Sequence, residues 1–180
     1  MGILTSRRAL AVVAVVVSTG LAAPTLAPAA GAQSQSLTAG NPAACAEASP
    51  GELAEVVDDI HEHTNRERAA AGVAPVERLG NLDGIAQDWS AQMAASDTMR
   101  HNPDIRAQVD QAFPGQWRSY GENVLQNWCG ASGEQLVAQW MSSPAHRVNL
   151  LNPAHTHLGV GAAVADSAKL YSTQNFVRLR

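Results

Sequence analysis

The sequence is poor in cysteine, in aromatic residues and in positive charge. Two of its 180 residues are cysteine, 4% are aromatic, and 12 basic side chains stand against 16 acidic ones. Arg7 and Arg8 are the charged residues among the first 32, so the rest of the chain has 10 basic and 16 acidic side chains, a net charge of −6. This balance argues against nucleic acid as a partner and disfavours binding to anionic lipid headgroups.

The sequence also has few long apolar segments. One such run, Ala9–Val17, follows Arg7 and Arg8 and is shorter than the roughly 20 apolar residues that span a bilayer. The small residues Ala30-Gly31-Ala32 then supply a cleavage site. We therefore predict a signal peptide over residues 1–32, no membrane span after its cleavage, and a secreted, extracellular protein.

The residues after the predicted signal divide into two parts. Residues 33–44 are small and polar with nothing to bury, which predicts a flexible leader. Residues 45–180 have the length of one domain, and no internal repeat is present. We expect a single folded domain that is a monomer.

The two cysteines, Cys45 and Cys129, would meet an oxidising environment after export, which predicts a disulfide between them. A bridge between them would stabilise the domain by about 4 kcal/mol in the chain-entropy description. Two free thiols are the alternative. A lipid anchor on Cys45 is not expected, because Pro42 stands where the anchor motif requires leucine.

Helix signals occur in both halves of the domain. Ser49-Pro50-Gly51-Glu52 and Ser132 with Gln135 form capping boxes ahead of apolar residues at helical spacing. Asn81 is a candidate cap for a second helix, and Ser143-Pro144 for a short fourth one. Alternating patterns predict strands at 120–126, 158–164 and 170–176. Helices mixed with antiparallel strands indicate an α+β fold.

Several short motifs follow one another in a distinctive order along the domain: Asn65-Arg66, Trp89, His101-Asn102, Gly121-Glu122-Asn123, Trp140, Ser143 to Leu151 (SPAHRVNLL), Gly159-Val160-Gly161 and Tyr171 to Phe176 (YSTQNF). Over about residues 55–177 they resemble the bacterial branch of the CAP superfamily, the cysteine-rich secretory, antigen five and pathogenesis-related proteins with an SCP-like domain. The resemblance implies an α-β-α sandwich, with a small antiparallel sheet between helices, that works outside cells.

The resemblance also implies a central cleft, in which many relatives bring together two histidines and two glutamates. His101, Glu122 and His146 match three of these positions, and Asn123 adjoins them. The second glutamate is missing, because Trp140-Met141-Ser142-Ser143 contains no carboxylate. The cleft is therefore predicted to be formed by His101, Glu122, Asn123 and His146, with an incomplete set of acidic groups.

Two chemical interpretations of these residues remain open. His101 and His146 could bind a divalent metal such as zinc, with Glu122 as a base that activates water. Alternatively, Glu122 ties histidines into a buried polar network that needs no cofactor. We favour the network, because the three residues lack the short spacing of a local metal motif. Glu122 is the one catalytic candidate.

Other catalytic patterns are weaker. Ser143 lies three residues before His146, but capping explains this serine, and no Gly-x-Ser-x-Gly sequence is present. The sequence His61-Glu62-His63 lacks the four-residue histidine spacing of a zinc protease helix. The preferred hypothesis is a binding module for an apolar small molecule, a lipid or a cell-envelope component. A metal-assisted hydrolase is the alternative, and an extracellular protein–protein interaction module is the second alternative.

Overall fold

The structure is a computed structural model that describes residues 49–180. The predicted signal peptide, the leader and Cys45 lie outside the described residues, so export and the Cys45–Cys129 bridge stay predictions. Cys129 itself is buried, with 2% of its surface exposed. Within residues 49–180, no helix is both long and apolar enough to cross a membrane.

Five helices and four strands make up the described part. In chain order they are α1 (Pro50–Ala70), β1 (Glu77–Arg78), α2 (Gly80–Ala95), α3 (Ile105–Ala112), β2 (Trp117–Trp128), α4 (Gly133–Ser142), α5 (Pro144–Leu150), β3 (His157–Val164) and β4 (Lys169–Leu179).

The strands form one sheet in the order β1-β3-β4-β2. β4 pairs antiparallel with both β2 and β3, as predicted, whereas the two-residue β1 pairs parallel with β3. Helices cover both faces of the sheet, and the α+β fold with its α-β-α layering is confirmed. We call the side covered by α2 and α3 the α2 face, and the side covered by α1, α4 and α5 the α1 face.

Helix ends follow the local sequence where a capping box is complete. Both predicted boxes form, at Ser49 and at Ser132. The Asn81 cap is wrong: α2 begins at Gly80, two residues earlier than this cap implies, with Leu79 at the N-cap and no side-chain hydrogen bond. Ser143 does precede α5, again without a side-chain cap. α3 was not predicted from the sequence, because it is a single short amphipathic segment without a capping signal.

The two faces bury separate groups of side chains. On the α1 face, Trp140 and Phe176 are fully buried in the largest apolar cluster, which α1, α4, α5 and the sheet share. The α2 face holds two smaller clusters, one around Trp89 and Tyr171 and the other around Leu82 and Val177. Because burial continues on both sides, β4 has almost no exposed residue before its end.

Helix α2 lies unusually close to β3. A Cβ atom on Gly159 would come within 2.2 Å of the Leu82 backbone, and one on Gly161 within 2.3 Å of the Ala86 backbone. The same helix also covers the unpaired edge of β3: Asp83 accepts a hydrogen bond from the Val160 N–H at 2.9 Å. The Gly159-Val160-Gly161 motif is therefore explained by helix packing.

Candidate functional site

The predicted cleft residues lie along β2, which is an edge strand of the sheet. Glu122 and Asn123 are neighbours on this strand, so their side chains point to opposite faces. Glu122 points to the α2 face, where the segment after α2 brings His101 to it. Asn123 points to the α1 face, towards α5 and His146.

His101 and Glu122 form a close pair. His101 Nδ1 lies 2.7 Å from Glu122 Oε1, and the Asn102 backbone N–H donates to the same oxygen at 2.9 Å. The glutamate side chain is 5% exposed, whereas the histidine side chain is 65% exposed. The imidazole therefore covers a buried carboxyl group, and its hydrogen bond leaves Nε2 available to other groups.

The second carboxyl oxygen of Glu122 differs from most buried polar atoms, which are hydrogen-bonded. Glu122 Oε2 is buried and has no hydrogen-bond partner within residues 49–180. Asn175 lies directly opposite Glu122 in the β2–β4 register. Its amide oxygen and nitrogen are likewise buried without a partner. Three unpaired polar atoms thus belong to two residues that share one face of the sheet.

His146 approaches from α5 without joining this pair. Burial lowers the pKa of His146, and the nearby His101 lowers that pKa further. Of the two histidines, His101 alone hydrogen-bonds to the Glu122 carboxyl group in the described part of the chain. The two imidazoles are therefore close enough to interact electrostatically, and the lowered pKa disfavours the charged form of His146.

The predicted metal ligands do not converge into one cluster. Between residues 49 and 180, no three His, Cys, Asp or Glu side chains are grouped closely enough to hold a metal ion. His101 is bonded to Glu122 on the α2 face, whereas His146 belongs to α5, which covers the α1 face. A metal at His101 and His146 stays a prediction.

Asn123 is the centre of a hydrogen-bond network on the α1 face. Its Nδ2 donates to the His146 carbonyl oxygen and to Gln174 Oε1, both at 3.1 Å. Asn149 Nδ2 donates to Asn123 Oδ1 and to the Glu122 carbonyl oxygen, both at 3.0 Å, and Gln174 Nε2 donates to Thr64 Oγ1 at 2.8 Å. The network joins α1, β2, β4 and α5, and it holds α5 beside the edge strand.

Arg68 and His155, which the sequence did not single out, lie behind this network. Arg68 is fully buried, and desolvation lowers its pKa. His155 stacks on Phe176, with ring centroids 5.3 Å apart, and burial and the Arg68 charge lower its pKa to about 4. The guanidinium of Arg68 donates to four backbone carbonyl groups, those of Ala74, Leu150, Asn152 and His155.

The weaker sequence candidates lie apart from this site. In α1, His61 Nε2 lies 3.2 Å from the Val76 carbonyl oxygen, and His63 pairs with Asp59 at 3.1 Å. Ser143 makes no side-chain cap. Trp117 is half-buried, and its Nε1 donates to Asp110. None of these side chains reaches the Glu122 pair.

Two open cavities occur elsewhere in the described part. One of about 450 Å³ lies between α1 and α2, with Leu53 and Val57 in its wall. The other, of about 520 Å³, lies between the end of α2 and the β3–β4 turn, with Asp97 at its edge. Neither cavity is lined by His101, Glu122 or His146.

The fold and the site together define an α-β-α domain with a histidine–glutamate pair at an edge strand. Residues 61–176 match the sequence model of the CAP family, described as the cysteine-rich secretory protein family. Since this match covers more than half of the chain, the chain belongs to that family.

Two relatives from Bacillus subtilis are similar in sequence. The uncharacterized protein YkwD is 30% identical over 131 residues, which cover 71% of this chain and 49% of YkwD. The uncharacterized membrane protein YlbC is 41% identical over 122 residues, which cover 66% of this chain and 33% of YlbC. The chain thus spans about half or less of the length of these relatives.

Solved structures confirm the fold. An extracellular SCP-domain protein from Bacillus anthracis superposes with a TM-score of 0.60 at 25% identity, over 72% of this chain and 44% of that one. An outer surface protein from Borrelia burgdorferi gives the same TM-score at 15% identity, over 70% and 94% of the two chains. The second likeness shows the fold alone.

Proposed function

We propose that this chain is an exported binding module whose site at Glu122 takes an amphiphilic ligand, with a hydrogen-bond-donating head and an apolar body. The unpaired, buried Glu122 Oε2 carries the proposal. A buried acceptor without a partner costs about 1–3 kcal/mol, which a donor on a ligand would recover. An apolar small molecule or a lipid with a polar head has this chemistry, and so do many components of a cell envelope.

The histidine bonded to the other oxygen of this carboxyl group can move aside for a ligand. His101 follows a segment outside the helices and has a largely exposed side chain, so rotation of the imidazole needs no repacking of the core. Glu122 is fixed by its strand and by the Asn102 N–H. A rigidly held acceptor, Glu122, next to an exposed side chain that can rotate, His101, is an arrangement expected of a binding site.

Apolar side chains next to the pair support an amphiphile over a purely polar ligand. Met99, two residues before His101, is 49% exposed, and Tyr120 is 38% exposed. Tyr120 precedes Glu122 by two residues on β2 and therefore points to the same face. Exposed apolar groups beside a buried acceptor match a ligand with one apolar end and one polar end.

Export is part of the proposal. The signal-peptide pattern of residues 1–32 supports it, and so does the similarity to an extracellular protein of Bacillus anthracis. One relative, YlbC, is named as a membrane protein. Mass spectrometry of the protein collected from the medium of a secreting host tests this part, because an intact mass that includes residues 1–32 would contradict it.

The ligand class is tested by calorimetric titration with three probes that have similar chains and different heads. Octan-1-ol and octylammonium carry donors, whereas methyl octanoate offers acceptors only. We expect both donor probes to bind about tenfold or more tightly than the ester, as one buried hydrogen bond implies. Equal binding of all three probes, or no binding of any, would contradict the proposal.

Variants locate the binding at this pair. Glu122→Gln keeps the size of the side chain but places an amide where the acceptor was, and should remove the advantage of the donor probes. Glu77→Gln is the matched control, because Glu77 also lies near a histidine, His157, but is 84% exposed. His101→Ala should leave binding intact, since the acceptor is Glu122 Oε2 and the histidine bonds to the other carboxyl oxygen.

The metal-assisted hydrolase with His101, His146 and Glu122 is the second candidate. The observation behind it is that His101 lies close enough to His146 to lower the pKa of His146, and imidazole groups are common zinc ligands. Zinc content after equilibration and turnover of p-nitrophenyl octanoate by the zinc-loaded protein test it. Absence of turnover, together with intact probe binding by His101→Ala, would eliminate the enzyme.

A further inference from the structure

We infer that Asn175 makes the Glu122 site selective for a hydroxyl group over an ammonium group. The inference rests on the proposed function and names the ligand head that the site takes. It begins from the β2–β4 register, in which Asn175 and Glu122 are direct partners. Their Cβ atoms are therefore about 5 Å apart on the α2 face.

The neighbours of Asn175 leave its amide without partners. The side chain is 1% exposed, and its two polar atoms make no hydrogen bond in the described residues. The adjacent residues on the same face of β4 are already engaged: Thr173 accepts from Ser90 at 2.9 Å, and Val177 packs in the apolar cluster around Leu82. Within residues 49–180 the amide has no hydrogen-bond partner, and Glu122, its direct partner across the strands, also has an unpaired oxygen.

The unpaired atoms define the group that fits. Glu122 Oε2 needs a donor, whereas the Asn175 amide nitrogen donates and its oxygen accepts. A hydroxyl group can donate to the carboxyl oxygen and accept from the amide nitrogen at the same time. An ammonium group could donate to both unpaired oxygens, but it leaves the amide N–H groups unsatisfied and takes a charge into a buried site. An ester has acceptors only. Two buried side chains with these complementary needs select an alcohol.

A water molecule has the same hydrogen-bonding groups as the hydroxyl. In the free protein, a water between Glu122 and Asn175 would satisfy these atoms, and the ligand hydroxyl would replace it. The two cases differ in their consequences, because a water with a purely structural role would give Asn175 no influence on the choice of ligand head.

The experiment measures the ratio of octan-1-ol affinity to octylammonium affinity in the full mature chain. Asn175→Asp removes the donor and adds a second carboxyl group, and should shift the ratio towards octylammonium by about tenfold or more. Asn175→Leu removes both groups and should lower the preference for the alcohol by about three- to tenfold. Thermal unfolding of each variant shows which ones are folded, and Asn175→Ser is the substitute if either does not fold.

The matched control is Asn127→Asp, which adds a carboxyl group elsewhere on β2. Asn127 donates to Gln139 on the surface, and its variant should leave the ratio unchanged. If the Asn175 variants are folded and keep the wild-type ratio, Asn175 serves a structural water alone and the inference is wrong. The proposed function would still stand if Glu122→Gln removed donor binding, and both would fail if no probe bound.

Discussion

Neighbouring polar residues on β2 and β4 differ in their hydrogen bonding according to which face of the sheet they point to. On the α1 face, Asn123 and Gln174 are both engaged, with each amide bonded to side chains or backbone of neighbouring elements. On the α2 face, their immediate neighbours along the strands, Glu122 and Asn175, retain three unpaired atoms. The same two paired strands thus supply a complete network on one side and an incomplete one on the other.

This difference separates scaffold from site. A complete network stabilises and orients the elements that it joins, whereas a buried group without a partner persists where something else satisfies it. The α1 face therefore positions α5 and its histidine, and the α2 face retains the capacity to bind. Substitution of the hydrogen-bonded side chains on the α1 face should therefore reduce stability. Substitution of the unpaired side chains on the α2 face should instead reduce ligand binding.

The largest effect is expected where the α2 face tolerates no added atom. Gly159→Ala would place a methyl group within 2.2 Å of the Leu82 backbone, which must then move. We expect a loss of at least about 4 kcal/mol in the free energy of unfolding, measured by urea denaturation. The shift of α2 should also disturb the adjoining His101 segment and weaken probe binding.

Gly84→Ala is the matched control for this change. Gly84 lies within α2, and a Cβ there would have no atom within 4 Å. Alanine should stabilise the helix by about 0.5–1 kcal/mol. Equal losses for Gly84→Ala and Gly159→Ala would show that helix flexibility, and not close packing against β3, explains the Gly159-Val160-Gly161 motif.

The sequence predicted those parts of the fold that local chemistry determines. Both capping boxes, at Ser49 and Ser132, formed as expected because their donors and acceptors lie within one helical turn. Asn81 failed as a cap because Leu79, already extended and adjoining β1, determines where α2 begins. The helix start there depends on a neighbouring strand, which a local motif does not contain.

The site was predictable only in part for the same reason. Glu122 and His101 could be identified from short motifs within the resemblance. Asn175 could not be singled out, because its importance depends on which residue of β2 lies opposite, and the register is a property of the folded sheet. The burial of His155 beside Arg68 follows from tertiary packing, which no local motif contains.

An intermediate effect is expected from breaking the complete network. Asn123→Ala leaves Gln174 Oε1 and the His146 carbonyl oxygen without this donor and removes one of the two hydrogen bonds of the Asn149 amide nitrogen, at a cost of about 3 kcal/mol in unfolding free energy. Asn175→Leu, on the other face, should cost little or even stabilise the protein, since no existing hydrogen bond is lost. Equal destabilisation by both variants would contradict the distinction between scaffold and site.

The smallest effect concerns His155 on the α1 face, which like Ser172 has buried polar atoms without a partner within residues 49–180. Both of its ring nitrogens lack partners, and its pKa in the folded protein is lowered to about 4, against about 6.5 for an exposed histidine. Between these values the unfolded chain binds a proton that the folded one does not, so stability falls as the pH is lowered. The contribution should be about 2 kcal/mol between pH 7 and pH 5.

Chemical denaturation at a series of pH values measures this contribution. His155→Leu should abolish that part of the pH dependence, whereas His157→Gln, which removes a histidine from the start of β3, should retain it. A wild-type stability that stays constant between pH 7 and pH 5 would mean that His155 accepts a proton in the folded state despite the Arg68 charge.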